Sequence, residues 1–210
     1  MYTILIADDH PIVRRGLRQI LEEMRFVLNV EEASTGQEAL KKAKEGKFDN
    51  VLLDISMPGM SGLEVLEELK KLKPSLPVLI LSIYPEEDYA LRALKAGASG
   101  YLTKKSAADE LIVAIKKISR GERYISPSFA EYLASHLTDD KEKPLHENLS
   151  NREFQVMRMI VSGKSLKQIA GEMNLSPKTI STFRTRILQK MHLKSNAELI
   201  QYAFKNSLTE

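Results

Sequence analysis

Between residues 3 and 119 the chain alternates five times between a short apolar run and a longer segment with helical spacing. The runs are "TILIAD" (3–8), "VLNVEEAS" (27–34) and the segments 50–54, 77–82 and 99–102. Each is followed by a helical pattern, over 11–24, 36–46, 61–72, 86–96 and 106–119, with Pro11 suited to the first turn of the first. Strands separated by helices pair in parallel, because each crossover carries the chain back to the same edge. Most of the runs are nearly uninterrupted, as expected when helices cover both faces of a sheet. The pattern therefore predicts a doubly wound α/β domain, and ligand sites in such sheets lie outside the C-terminal ends of the strands.

That edge collects an unusual set of side chains. Asp8 and Asp9 end the first run, Asp54 the third and Ser82 the fourth, and Lys104 follows the fifth. Taken singly, each has a structural reading: "DDHP" (7–11 less its first residue) could cap a helix, Ser82 could cap the next, and Lys104 could be solvated. Taken together they place three carboxylates, a hydroxyl and an amine on one edge. Clustered carboxylates repel unless a cation sits among them, and hard oxygen ligands suit Mg²⁺. A carboxylate beside Mg²⁺ and a lysine is placed to accept a phosphoryl group, since both cations stabilise charge on the transferring oxygens.

Composition narrows the class. The 210 residues, 43% of them hydrophobic, allow one large domain or two small ones, and the formal net charge is +3. There is no cysteine, which excludes disulfides and thiolate metal sites and fits a reducing compartment. The N-terminus lacks the basic start of a signal peptide, and no apolar run approaches the roughly 18 residues of a membrane span, so no membrane partner is expected.

Residues 1 to about 121 resemble the receiver domain of response regulators. The resemblance is carried by "ADDH" (7–10), "LLDISMPGMSG" (52–62), "LS" (81–82) and "GYLTK" (100–104). It implies a flavodoxin-like (βα)5 fold with strand order 2-1-3-4-5, and Asp54 as the residue phosphorylated by a sensor histidine kinase. It further implies Mg²⁺ held by Asp9, Asp54 and the backbone carbonyl of Ser56, with Asp8 helping through water. Lys104 would pair with the phosphoryl group, Ser82 would move towards it, and Tyr101 would turn inward behind. Two positions depart from the family pattern. Lys105 stands where many receivers have a proline, so a trans bond is expected. Ile83 stands where many have a small residue, which could hinder attacking water and slow dephosphorylation.

A charged stretch, "TDDKEKPLHEN" (138–148), follows a short helical segment with Pro127 in its first turn, "SPSFAEYLASHL" (126–137). The expected division is a receiver over 1–121, a linker over 122–146 and a second domain over 147–210, with the boundary near 139–147. His136 and His146 have no partner spacing and read as surface or packing residues. Residues 147–210 hold ten basic and five acidic residues, a balance of +5, against −2 for the rest. A basic segment beside a slightly acidic domain suggests nucleic-acid binding.

Four helices are expected there. "SNREFQVMRMIVSG" (150–163) opens with a capping box, Ser150 with Glu153, and closes on Gly163. "SLKQIAGEM" (165–173), the tight turn "NLS" and "PKTISTFRTRILQKM" (177–191) make a short helix, turn, longer helix, and "SNAELIQYAFKN" (195–206) makes the fourth. In the third helix Phe183, Ile187 and Met191 join Ile180 in a core stripe. Lys178, Thr182, Thr185 and Gln189 lie opposite, flanked by Ser181 and Arg186, and no acid intervenes. Short polar groups with cations on their flanks suit the major groove.

Residues 149–203 resemble the LuxR-type helix-turn-helix, notably in "SPKTIS" and "RILQKM". A receiver joined to this module is the layout of the NarL/FixJ family. The resemblance implies a cytoplasmic transcription regulator that binds duplex DNA, as a homodimer on phosphorylation or DNA binding, with RNA polymerase as a further partner. Lys178, Ser181, Thr182 and Thr185 would approach bases, while Arg184, Arg186 and Lys190 would contact phosphates. Phe183 stands where the family often has His, and Arg184 where it often has an apolar residue. The chain is then not an enzyme beyond an intrinsic autophosphatase activity. The competing reading is an Mg²⁺-dependent phosphohydrolase with Asp54 as nucleophile. Such enzymes typically carry a second Asp two residues on, where this chain has Ser56.

Overall fold

A computed structural model describes residues 2–137, 144–206 and 208. The chain divides into two compact units, Met1–Asp139 and Asp140–Glu210.

The first unit contains β1 (Tyr2–Ala7), α1 (Pro11–Glu22), β2 (Val27–Ala33), α2 (Gly36–Glu45) and β3 (Asn50–Asp54). It continues with α3 (Gly62–Leu72), β4 (Val78–Ser82), α4 (Glu86–Lys95), β5 (Gly100–Thr103), α5 (Ala107–Ile118) and α6 (Pro127–Leu137). The strands form one parallel sheet of order β2-β1-β3-β4-β5. Ala7 lies beside Leu53, Asp54 beside Leu81 and Ser82 beside Thr103, so the strands end on one level. Helices α1 and α5 cover one face, where Leu17, Leu21, Leu111 and Ile115 pack with Ile4, Ile6, Leu52, Leu79 and Leu102. The residues of opposite parity, Leu5, Val51, Leu53, Val78 and Ile80, are fully buried on the other face. Burial on both faces is the physical reason for the near-continuous apolar runs.

The chain after α5 stays with this unit. Tyr124 pairs in parallel with Gly100, its N–H reaching Ser99 O at 2.8 Å, and both Tyr124 and Phe129 are buried. The stretch 122–137, expected within the linker, is therefore packed against the sheet edge and α4. A Cβ at Gly100 would lie 2.9 Å from Tyr124 Cβ, so the close approach needs glycine there.

In the second unit a 3-10 turn (Leu145–Asn148) precedes α7 (Asn151–Val161), α8 (Leu166–Glu172), α9 (Pro177–Lys190) and α10 (Asn196–Lys205). Ser150 and Ser165 form capping boxes with Glu153 and Gln168, and Ser176 caps α9 by accepting from the Thr179 N–H. The turn between α8 and α9 is closed by Asn174 in the left-handed region, at φ 52°. Phe154, Met157, Ile169, Ile180, Ile187, Met191 and Leu199 form the core. Phe183, expected in that stripe, is only half-buried, and Leu188 takes a place in the core. His146 packs on Phe154 and bonds the Tyr202 hydroxyl at 2.9 Å, while the His136 side chain lies outside the described residues.

Candidate functional site

The ends of β1, β3, β4 and β5 bring Asp8, Asp9, Asp54, Ser82 and Lys104 together. Asp8, Asp54 and Ser82 are fully buried, whereas the Asp9 side chain is 29% exposed and opens the site to solvent. Lys104 Nζ lies 2.8 Å from both Asp54 Oδ2 and Asp8 Oδ2. Asp54 Oδ1 is buried and accepts no hydrogen bond among the described residues. Burial pushes the Asp54 carboxyl above its ordinary range; Lys104 pulls it down and Asp8 pushes it up. Burial lowers the Lys104 amine, but Asp54 and Asp8 outweigh it and hold it above the ordinary lysine range.

The capping readings of these residues fail on geometry. His10 is the N-cap of α1 and no side chain caps that helix; among the described residues Asp8 Oδ1 accepts from the His10 N–H at 2.8 Å but from no N–H of the first helical turn. Pro85 is the N-cap of α4, again without a side-chain cap, and Ser82 Oγ accepts from the Tyr84 N–H at 3.0 Å. Buried Tyr101 donates to the Tyr84 carbonyl at 3.0 Å. The phenol therefore points inward, and the two bonds hold the Tyr84 backbone at its N–H and at its carbonyl.

Two supporting groups were not singled out by the sequence. His10 Nδ1 lies 2.8 Å from Asp9 Oδ1 and 3.2 Å from Asp8 Oδ1. Its only sequence signal is its place after two acids. At Gly62 a Cβ would sit 1.9 Å from the carbonyl oxygen of Asp54, so any side chain there would displace the end of β3. The residues suit a divalent cation on two grounds. Ligand atoms of Asp8, Asp9, His10 and Asp54 lie within 4.8 Å of one another, and Lys104 lies against Asp8 and Asp54 while Asp9 meets His10. Ser56 lies in the turn after β3 with its hydroxyl buried and unbonded among the described residues. No peptide bond among the described residues is cis, so the one before Lys105 is trans.

In the second unit α9 exposes Lys178, Ser181, Thr182, Thr185 and Arg186. Lys178 and Arg186 have no ion-pair partner among the described residues. Thr182 and Thr185 donate back to the carbonyls of Lys178 and Ser181 at 3.0 and 3.1 Å. Two expected phosphate contacts are engaged internally. Arg184 Nε donates to Asn196 Oδ1 at 2.6 Å, tying α9 to α10, and Lys190 Nζ lies 2.6 Å from Glu153 Oε2, tying α9 to the cap of α7. Neither is the free outward cation that its position in the sequence suggested.

Burial raises the Glu153 carboxyl, but Lys190 and the Ser150 N–H and hydroxyl outweigh it and hold it below the ordinary glutamate value of 4.5. A depressed carboxylate contributes stability that is present above 4.5 and lost as pH falls through its lower folded value. Glu153→Gln keeps an acceptor for the cap and removes only the charge. It is expected to cost about 1 kcal/mol at neutral pH, with the deficit vanishing in acid. Hydrogen exchange of the α7 amides in the wild type and in Glu153→Gln measures this.

Residues 4–116 match the response regulator receiver domain, and residues 147–203 match the luxR family of bacterial regulatory proteins. The chain is a response regulator of the NarL/FixJ family. The regulator is 35% identical over 209 residues to response regulator UvrY of Escherichia coli K12, covering 99% of this chain and 96% of that one. It is 35% identical to response regulator GacA of Pseudomonas aeruginosa over 212 residues, covering 100% and 99%. Among solved structures, RcsB of Salmonella enterica serovar Typhimurium, bound to promoter rprA in the presence of phosphomimetic BeF3−, is similar at TM-score 0.69 and 25% identity. That match covers 96% of this chain and 97% of the other. The response regulator ChrA of a heme-sensing two-component system matches at TM-score 0.53 and 31% identity, covering 99% and 98%. Among the described residues no helix is long and apolar enough to cross a membrane.

Proposed function

We propose that Asp54 is the phosphoacceptor of this regulator, and that its phosphorylation by a sensor histidine kinase controls dimerisation and operator binding. The supporting observation is a buried carboxylate whose Oδ2 is held 2.8 Å from Lys104 Nζ while Oδ1 stays uncommitted. A carboxylate oxygen of Asp54 would form the new bond to phosphorus as the bond from the donor's histidine nitrogen breaks. Lys104 is placed to follow the added charge onto the phosphoryl oxygens. Asp9, Asp54 and the Ser56 carbonyl would hold Mg²⁺, with Asp8 acting through water. When bound, the ion supplies charge stabilisation for phosphoryl transfer. The three acids fit it because Lys104 leaves their combined charge uncompensated.

Ser82 would exchange its bond with the Tyr84 N–H for one to a phosphoryl oxygen, and Tyr101 would follow Tyr84. In this reading residues 1–121 are the receiver, 122–146 the connection and 147–210 the DNA-binding domain. Lys178, Ser181, Thr182 and Thr185 would face bases and Arg186 phosphates. Arg184 and Lys190 would reach DNA only by leaving Asn196 and Glu153. Light scattering of the whole chain tests the dimerisation step. Acetyl phosphate with Mg²⁺ is expected to double the mass of the wild-type particle and leave Asp54→Asn monomeric. Equal masses for the two chains would contradict the reading.

Ile83 follows Ser82 directly and is 64% exposed, and in this reading it would stand at the mouth of the site. An apolar side chain there excludes water from the phosphoryl group. Ile83→Ala is expected to speed autodephosphorylation by about threefold, read as phosphate release once the donor is removed.

A further inference from the structure

The N-terminal half of α9 carries a hollow of about 310 Å³ lined by Ser176, Lys178, Thr179, Thr182, Phe183 and Arg186. Its hydroxyls are already spent. Ser176 Oγ and Thr179 Oγ1 bond each other at 2.8 Å, and Thr182 Oγ1 donates to the Lys178 carbonyl at 3.0 Å. What the hollow still offers is the half-buried ring of Phe183, two threonines and two cations with no ion-pair partner among the described residues. An apolar recess between free cations suits an apolar group carried on a polyanion. In the major groove of DNA that group is the 5-methyl of thymine.

We propose that Phe183 sets base preference by receiving a thymine methyl in this hollow, while Lys178 reaches towards the neighbouring base and Arg186 holds a flanking phosphate. The inference rests on the DNA-binding reading of α9. It is tested with duplexes that the full-length, phosphodonor-treated chain selects from a random pool, each thymine then replaced singly by deoxyuridine. In the wild type one replacement per half-site is expected to weaken binding about fourfold, the worth of one buried methyl. In Phe183→Ala that penalty should vanish, and in Phe183→Tyr, which keeps the ring, it should persist. The ratio of thymine to uracil affinity is insensitive to a general loss of fold. Uniform tolerance of deoxyuridine by the wild type, or an unchanged penalty in Phe183→Ala, would overturn the proposal while leaving DNA binding intact. Selection of no duplex would overturn the DNA-binding reading itself.

Glu86 is a further buried acid of the first unit and has no part in phosphoryl chemistry. It opens α4 and accepts hydrogen bonds from Ser126 Oγ and, at 3.4 Å, from Ser128 Oγ. Ser126 also caps α6 by accepting from the Phe129 N–H at 3.1 Å. Residues 83–85 alone separate Glu86 from Ser82, and the Tyr84 peptide among them is held by Ser82 and Tyr101. We infer that the Glu86–Ser126 contact is a latch that fastens α6 to the phosphorylation site and loosens when Ser82 turns to a phosphoryl group. Hydrogen exchange at Phe129 and Ala130 in the full chain tests it. Glu86→Ala should speed both amides about tenfold without a phosphodonor, and Glu86→Gln, which keeps an acceptor, should not. Acetyl phosphate with Mg²⁺ should speed them in the wild type and not in Asp54→Asn. Amides unmoved by Glu86→Ala would overturn the latch, and amides unmoved by phosphorylation would overturn its coupling to Asp54.

Discussion

Asp54→Asn is expected to abolish the gain in operator affinity that a small phosphodonor gives the wild-type chain. Asparagine fits the same buried space and can still accept a hydrogen bond from Lys104, which lies 2.8 Å from Oδ2 of the aspartate. The amide is no nucleophile for phosphorus, so the fold survives and the signal does not. Phosphorylation can shift the protein only by the difference in free energy it makes between states. Couplings of this kind are typically 1–3 kcal/mol, so the wild type should gain about tenfold or more in affinity. The variant should keep the basal affinity of the unmodified wild type with or without donor. Fluorescence anisotropy on a labelled operator measures both. A donor-dependent gain in the variant would move the phosphoacceptor elsewhere.

Replacing Lys178 and Arg186 together with alanine is expected to have the larger effect on basal DNA binding. Both side chains are exposed on α9 and neither is paired among the described residues, so each is free to offset DNA charge, Arg186 at a phosphate and Lys178 from the groove. Each lost contact removes about 0.9 from the slope of log affinity against log salt, so a dimer losing four should flatten by about 3.6. At physiological salt the affinity should fall at least about 100-fold. The same change at Arg184 and Lys190 should act differently. It breaks the ties to Asn196 and Glu153 and so lowers stability, with a smaller change in salt slope. Affinities measured across a salt series separate the two pairs.

The receiver architecture and its acidic site are legible in the sequence because the sheet imposes them. Burial on both faces makes the strands continuous apolar runs, and each run ends where its reactive residue begins. Asp8, Asp9, Asp54, Ser82 and Lys104 are thus placed on one edge by chain order alone. What the sequence hides is contact between residues far apart in it. The partners of Arg184 and Lys190 lie 12 and 37 positions away, and nothing local marks them. The polar stretch from 122 reads as linker, yet Tyr124 is buried by pairing with Gly100. Phe183 sits at the rim of the core stripe, where helical periodicity cannot separate a core position from a half-exposed one. His10 follows two acids just before α1, and nothing local marks its 2.8 Å approach to Asp9.

The central claim is that one buried carboxylate, Asp54, takes up a phosphoryl group. Intact-mass spectrometry after treatment with acetyl phosphate and Mg²⁺, followed by hydroxylamine, tests it most directly. The account predicts a single added phosphoryl group on the wild-type chain, removed by hydroxylamine with modification of residue 54, and none on Asp54→Asn. An unmodified wild type, or an adduct that persists in Asp54→Asn, would contradict it.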